Sequence, residues 1–93
     1  MKTEPINYKY QSELVHSLYQ ITKEDKMRDF LDVLLTPAEL DDLAKRLQIF
    51  KRLLKGEAQQ KIAKHLKVGV ATVVRGAAEL RAKRDKVEKM IKQ

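Results

Sequence analysis

Residues 59–76 read QQKIAKHLKVGVATVVRG, and this segment carries the clearest folding signal in the chain. Two short helices that cross at a tight turn would bury all of its large apolar contact residues. These are Ile62 and Leu66 on the first helix, Val68 in the turn and Val73 on the second helix. Ala63 is small enough to let the two helices approach closely. The pattern is typical of a helix-turn-helix, and a plain helical hairpin within a bundle is the alternative.

The turn of this motif contains Lys67, at a position that usually holds glycine. A tight turn there requires a left-handed or otherwise strained backbone, which glycine adopts freely because it has no Cβ atom. A residue with a side chain adopts it at a cost of about 1 kcal/mol. We therefore expect a strained backbone at Lys67.

A second clear signal is the helix start LTPAEL, in which Thr36 is a suitable N-cap, Pro37 suits the first helical position and Glu39 completes a capping box. The helix is predicted to continue to residue 55, and Gly56 then ends it. Its apolar residues recur at spacings of three and four, at Leu40, Leu43, Leu47, Phe50 and Leu54. Such a stripe requires a helical partner, either within the chain or across a dimer.

The residues before this start predict two further helices, with Thr22 and Asp25 able to cap the second. Apolar residues recur at helical spacing at Leu14, Val15, Leu18 and Ile21, and again at Met27, Phe30, Leu31 and Leu34. Both stripes are expected to pack into a core. Residues 1–7 show no apolar period and predict a mobile tail.

Together these signals predict an all-α protein of about six helices. The low content of glycine, proline and aromatic residues leaves few signals for turns or strands. We expect a single domain over residues 8–93, with the helix-turn-helix at residues 59–76. The helices are expected near residues 8–21, 23–34, 37–55, 59–66, 69–80 and 82–92.

Charge is divided unequally between the two halves of the chain. Residues 1–44 hold five basic and nine acidic side chains, a net charge of −4, whereas residues 45–93 hold fifteen and four, a net charge of +11. A half this basic suits a polyanion such as DNA, RNA or an anionic membrane surface. An ordinary solvated helical surface is the alternative explanation.

Several classes of function lack the residues that they need. The chain has no cysteine, which excludes disulfides and thiolate chemistry and is compatible with a reducing cytoplasm. No apolar stretch approaches the roughly 20 residues of a membrane span, so we expect a soluble, cytoplasmic protein. His16 and His65 have no second ligand at metal spacing, so we expect no metal site. No catalytic constellation is recognisable, so we expect no enzyme activity.

The helix-turn-helix predicts a surface that binds double-stranded DNA. Because the exposed start of its second helix has no side chain able to make a bidentate hydrogen bond to a base, readout would depend on thymine methyl contacts, backbone groups with water, and DNA shape. The residues expected at the DNA are Gln59, Gln60, Lys61, Lys64, Lys67, Gly69, Val70, Ala71, Thr72 and Val74. Arg81, Lys83 and Arg84 would extend the basic surface.

Four segments together resemble the bacterial Trp repressor family: LTPAE at residues 35–39, LAKRLQI at 43–49, LLKGE at 53–57 and VGVATVVRG at 68–76. The resemblance covers about residues 14–80, and the N-terminal half is also similar to the Trp-repressor-like branch of the family. It implies an intertwined, all-helical homodimer whose two reading heads enter successive major grooves of a pseudo-palindromic operator. The stretch from Gly56 to Ile62 is one residue shorter than is usual in this family.

The resemblance also implies a corepressor site for L-tryptophan between the core and the reading head. Arg46 and Arg75 match the two arginines that sandwich the indole ring, and guanidinium planes do stack on aromatic faces. The alternative is that one of them pairs with surface acids and the other with phosphate. Thr36 and the backbone near Val33 and Leu35 match the residues at the polar end of the ligand.

Two further positions of the corepressor site are implied by the same resemblance. Gly76 matches a residue that leaves room for the indole ring. Glu79 stands where a small hydroxyl residue is usual, and two roles are open to it. In the first role Glu79 would bind the ammonium group of the ligand, and in the second it would pair with Arg75 and close the pocket.

The sequence thus predicts a sequence-specific DNA-binding transcriptional repressor, gated by L-tryptophan or a related small ligand. One alternative is a constitutive nucleic-acid-binding protein of low specificity without ligand gating. Another is a helical protein-interaction module that uses its acidic first half as the contact face.

Overall fold

The computed structural model describes residues 4–91, which form six α-helices and no β-strand. The helices are α1 (Tyr8–Tyr19), α2 (Glu24–Leu34), α3 (Pro37–Leu54), α4 (Gln59–Leu66), α5 (Val70–Ala82) and α6 (Arg84–Met90). The predicted all-α class is confirmed, and the helix ends lie within about two residues of the expected ones. Residues 1–3 of the predicted tail and residue 92 of the predicted last helix lie outside the described part. Within that part, no helix combines the length and the apolar character needed to cross a bilayer.

The chain divides into two compact units, residues 1–37 and 38–93. In the first unit, the Oδ1 atom of Asn7 accepts a hydrogen bond from the Tyr10 backbone N–H at 3.0 Å and so caps α1. Helix α2 has Lys23 as its N-cap, without a side-chain hydrogen bond, so the expected cap at Thr22 is wrong by one position. The single domain expected over residues 8–93 stays a prediction.

Neither α1 nor α2 contains a buried residue. Three residues of the expected core stripes, Leu14, Val15 and Leu34, are exposed, so the expectation that they are buried is wrong for the single chain. The other members are half-buried, at Leu18, Ile21, Met27, Phe30 and Leu31. The physical reason is that two short helices have too little surface to enclose both of their apolar stripes.

The second unit is built around a small apolar core to which α3, α4 and α5 each contribute. Ile62 and Val73 have no exposed surface, Ile49 is 2% exposed and Ala63 is 5% exposed. Leu53, Leu66 and Val68 are partly buried against these four residues. The residues predicted to join the two short helices thus meet as expected, and α5 adds Ala77 and Leu80 to the buried set.

Helix α3 has two apolar faces, of which the sequence pattern identified only one. The face that packs onto α4 and α5 carries Ile49 and Leu53. The predicted stripe lies elsewhere on the helix, and two of its members, Leu43 and Leu47, are 47% and 41% exposed. The helical partner predicted for this stripe, within the chain or across a dimer, stays a prediction.

The end of α3 is fixed by its backbone hydrogen bonds. Gly56 has a φ of +84°, its N–H donates to the Leu53 carbonyl at 3.0 Å, and the Glu57 N–H donates to the Arg52 carbonyl at 3.1 Å. This pair of bonds is the Schellman motif, in which the residue after the helix is left-handed and usually glycine. The predicted stop at Gly56 is confirmed.

The turn between α4 and α5 contains the strained residue that the sequence predicted. Lys67 has φ 57° and ψ 45°, and it is the single non-glycine residue with a positive φ among residues 4–91. The N–H of the next residue, Val68, donates to the Ala63 carbonyl at 3.0 Å. This left-handed residue ends α4 and directs the chain into α5, as expected.

Replacing Lys67 with glycine should increase the free energy of unfolding by about 1 kcal/mol, because glycine adopts the left-handed conformation without a Cβ penalty. Lys64→Gly, on the exposed side of the same helix, is the matched control and should destabilise by about 1 kcal/mol through lost helix propensity. Urea unfolding at one fixed protein concentration measures both. Equal destabilisation by the two variants would contradict the assignment of strain to Lys67.

Candidate nucleic-acid interface and ligand groove

Helix α5 presents its first turns to solvent. Gly69 is its N-cap and contributes no side chain, so no side-chain oxygen caps the first N–H groups of the helix. Val70 and Val74 are 47% and 46% exposed, and Ala71 and Thr72 are also exposed. This face combines free N–H groups, which attract anions, with small apolar side chains of the kind that contact thymine methyl groups.

Helix α4 and the following turn surround this face with lysines. Lys61, Lys64 and Lys67 are exposed, as is Gln60, whereas Gln59 is half-buried. Packing of Ile62 and Ala63 into the core, with Leu66 partly buried beside them, turns Lys61 and Lys64 outward. The predicted DNA-binding residues thus lie on two helices and the turn between them, and all except Gln59 are exposed. Their binding role stays a prediction.

Helices α3 and α5 also border an open groove with a volume of about 920 Å³. Its lining includes four basic side chains and three carboxylate or hydroxyl side chains: Lys45, Arg46, Arg75 and Lys83, with Asp42, Glu79 and Thr72. Apolar atoms come from Ile49, Phe50, Val68 and Val87. Such a groove offers cations to a carboxylate, carboxylates to an ammonium group and an apolar floor to a ring.

The structure brings four of the predicted ligand-binding residues together in this groove, namely Arg46, Arg75, Gly76 and Glu79. The other three belong to the unit of residues 1–37, where Val33 and Thr36 are exposed and Leu35 is half-buried. The part that these three residues play at a ligand stays a prediction.

Charged side chains in the groove have partners on their own helices. Glu79 forms an ion pair with Lys83 at 3.1 Å, and the Arg75 guanidinium donates to the Thr72 hydroxyl at 3.5 Å. Lys45 lies 2.8 Å from Asp41, and this hydrogen bond, with the attraction of the same carboxylate, raises the pKa of the Lys45 ammonium. The partner of Glu79 is therefore a lysine one turn along α5.

Gly76 lies on the side of α5 that packs against Ile49 of α3. A Cβ atom at this position would lie 2.8 Å from the Cγ2 atom of Ile49, a buried β-branched side chain. Glycine therefore allows the two helices to pack at this distance. Sequence reasoning missed Ile49 as the contact on α3, because the heptad-like stripe drew attention to the other apolar face. The expectation that Gly76 leaves room for a ligand ring stays a prediction.

His16 and His65 lie on different helices, and no group of three or more metal-ligating side chains occurs among residues 4–91. The Nε2 atom of His16 lies 3.1 Å from the Gln20 side-chain amide, one turn along α1. His65 lies beside Arg52 and Glu57, a contact that the sequence pattern did not reveal.

Comparison with known proteins identifies one family and consistent relatives. The family model described as Trp repressor protein matches residues 9–93. A Trp operon repressor homolog of Vibrio atlanticus is 35% identical over 98% of this chain and 93% of its own length. A protein of the same description from Vibrio vulnificus is 42% identical over 75% of this chain and 71% of its own length. No solved structure matches the chain significantly.

Replacing Gly76 with alanine should lower the free energy of unfolding by up to about 2 kcal/mol, which is what remains when a gain of about 1 kcal/mol in helix propensity is subtracted from an overpacking cost of about 1–3 kcal/mol. Ile49→Leu removes the branch at Cβ that carries the Cγ2 atom. Gly76→Ala should therefore cost less in the Ile49→Leu background, and a double-mutant cycle of urea unfolding measures the difference. Additive effects would show that the close approach of these two residues does not limit packing.

Proposed function

The chain belongs to the Trp repressor family, and on that premise we propose that it is a sequence-specific DNA-binding transcriptional repressor that reads a double-stranded operator as a homodimer. Members of this family are regulators rather than enzymes. The observation that carries the proposal is the α4–α5 pair, which holds an exposed, uncapped helix start beside three exposed lysines. In this proposal the pair acts as a helix-turn-helix, with α5 in the major groove and α4 across the backbone.

The proposed contacts are of two kinds: contacts with phosphates, which position the protein on the duplex, and contacts with base edges, which read its sequence. Lys61, Lys64 and Lys67 contact phosphates, which set affinity and register without regard to sequence. Val70, Ala71 and Val74 face the base edges, where they distinguish thymine methyl groups and local DNA shape. Base contacts through bridging water, as in the Trp repressor–operator complex, suit a reading face with so few polar side chains.

Dimer formation is supported by the apolar surface that the single chain leaves uncovered. Leu43 and Leu47 are nearly half exposed on one face of α3, and Leu14, Val15 and Leu34 are exposed on α1 and α2. Removing such side chains from water is favourable by about 25 cal/mol per Å² of apolar surface, and the free-energy cost of association is subtracted from that gain. A dimer also supplies two reading heads, which fits a two-fold symmetric operator.

The groove between α3 and α5 is the proposed site for a small regulatory ligand, L-tryptophan or a related amino acid. Its residues fit such a ligand: Arg46 and Arg75 can stack on an aromatic ring or pair with its carboxylate, and Glu79 can accept from its ammonium group. A ligand here would touch Gly69 and Thr72 at the start of α5. Binding would therefore bear directly on the placement of the reading helix.

A second candidate function is constitutive, low-specificity binding of nucleic acid without ligand gating. The observation that favours it is the absence of a bidentate hydrogen-bonding side chain among the exposed residues at the start of α5. Binding of this kind would depend on phosphates alone and would be equal for all duplexes.

Phosphate binding by α4 predicts a steep loss of DNA affinity with added salt, with each phosphate contact contributing about −0.9 to the slope of log affinity against log salt. Replacing Lys61 and Lys64 with alanine should weaken binding to all duplexes and make this slope shallower. The double variant Lys23→Ala with Lys26→Ala, at two exposed lysines of the N-cap and first turn of α2, is the charge-matched control and should change neither quantity. Fluorescence anisotropy at several salt concentrations measures both, and a slope near zero for the unaltered protein would exclude phosphate binding.

Base readout by α5 predicts that an acidic side chain on its outer face removes sequence preference. Ala71→Glu should reduce the affinity ratio between selected and random duplexes towards one, because the carboxylate is repelled from the groove and cannot contact a thymine methyl group. The measurement is a competition between a duplex pool selected with the unaltered protein and a random pool. If selection yields no preferred duplex, the second candidate function is supported.

Ligand gating predicts that L-tryptophan releases or absorbs heat on binding and raises affinity for selected duplexes. Arg75→Met should abolish the heat, because it removes the cation that faces the ring and carboxylate. Arg81→Met is the control, since Arg81 is exposed on α5 and does not line the groove. Titration calorimetry with and without DNA tests this, and absence of both effects would exclude L-tryptophan as the ligand while leaving DNA binding intact.

A further inference from the structure

A cluster of three polar side chains, Arg52, Glu57 and His65, joins the end of α3 to both ends of α4. The Arg52 Nη1 atom donates to the Oε1 and Oε2 atoms of Glu57, each at 3.3 Å. The same Nη1 atom lies 3.2 Å from the Nδ1 atom of His65, which itself lies 3.7 Å from Glu57 Oε1. Because Glu57 precedes α4 and His65 lies in its last turn, one guanidinium group contacts both flanks of the helix.

The Arg52–Glu57 pair differs in burial and in span from three other ion pairs of residues 38–91. Its side chains are 28% and 23% exposed, whereas the pairs Lys45–Asp41, Lys83–Glu79 and Arg84–Glu88 have both partners at least 41% exposed. Those three pairs link residues one turn apart on a single helix. The Arg52–Glu57 pair instead bridges a helix and the segment that follows its Schellman turn, and partial burial protects it from solvent screening.

Local features leave the orientation of α4 weakly determined without this cluster. Its N-cap is Ala58, which offers no side-chain hydrogen bond, and only two of its residues, Ile62 and Ala63, are buried. An eight-residue helix that packs through Ile62 and Ala63, with Leu66 partly buried beside them, has little packed surface to oppose rotation about its axis. A bifurcated contact before its start and a second contact in its last turn restrict that rotation. The Nε atom of Arg52 is buried without a hydrogen-bond partner among the described residues, so this side of the guanidinium is shielded from solvent.

We propose that Arg52 and Glu57 are positioning residues for DNA binding, and that their ion pair sets the orientation of α4 and so the placement of Lys61 and Lys64 at the phosphates. The inference rests on the proposed DNA-binding function. Neither residue contacts DNA in this account. Their effect reaches the duplex through α4 and, through the packing of Ile62 against Val73, through α5.

Glu57→Gln separates this role from simple electrostatics, because the two make opposite predictions. Removing a carboxylate from a protein that binds a polyanion should tighten binding if only net charge matters. If the carboxylate positions α4, affinity for the selected duplex should fall instead, by roughly five- to tenfold, because a charged acceptor is replaced by a weaker neutral one. Glu88→Gln is the matched control, since it removes the same charge from an exposed pair on α6 and should leave binding unchanged or slightly tighter.

Two measures separate positioning from a merely structural role. DNA affinity is measured only on folded protein, and variants that keep or restore the ion pair should recover affinity. All affinities are measured by anisotropy at a temperature at which thermal unfolding shows every variant to be folded. Glu57→Asp, which keeps the charge, should recover part of the lost affinity. The double variant Arg52→Glu with Glu57→Arg should bind more tightly than the double variant Arg52→Gln with Glu57→Gln, because the two have the same net charge and only the first restores an ion pair, with its polarity reversed.

The outcomes distinguish this inference from the function on which it rests. If the unaltered protein binds no duplex, the proposed DNA-binding function fails. If it binds and Glu57→Gln binds as tightly as Glu88→Gln, the positioning role is wrong and DNA binding stands. Weaker binding by Glu57→Gln without weakening by Glu88→Gln supports the positioning role.

Discussion

Burial of Ile62 and Val73 against Ile49 is the contact on which the second unit depends. Two of these side chains have no exposed surface and the third has almost none. Complete burial of a side chain of this size stabilises a fold by about 1.5–3 kcal/mol. Three such residues from three different helices therefore fix α4 and α5 on α3, and everything that those two helices present to solvent follows from this contact.

The same contact sets which side chains the start of α5 presents to solvent. Val73 packs into the core against Ile62, so its neighbours on the first turns face outward. What remains outside on α5 is small or β-branched, at Val70, Ala71, Thr72 and Val74. Charge is supplied instead by α4 and the turn, so affinity and readout reside on neighbouring but different segments.

Backbone strain occurs at Lys67, where the chain turns from α4 into α5. Close packing occurs at Gly76, where α5 lies against Ile49 of α3. Lys67 adopts a left-handed backbone so that α4 can stop and α5 can begin within three residues. Gly76 gives up a side chain so that α5 can lie against Ile49. Lys67 lies on the proposed DNA surface and Gly76 lines the proposed ligand groove. This agrees with the general tendency of strained backbone positions to occur near functional sites.

The sequence by itself determined the helices and their ends, because caps, stops and apolar periods are local properties. The start at Pro37, the stop at Gly56, the strain at Lys67 and the burial of Ile62 and Val73 all follow from residues within a few positions of one another. Only the tertiary structure decided which face of α3 meets α4 and α5, because both of its faces are apolar and the period identified only the other one. It also decided the contact of Gly76 with Ile49 and the cluster of Arg52, Glu57 and His65. Contacts between helices depend on the distance and rotation of the packed helices, which no local sequence pattern encodes.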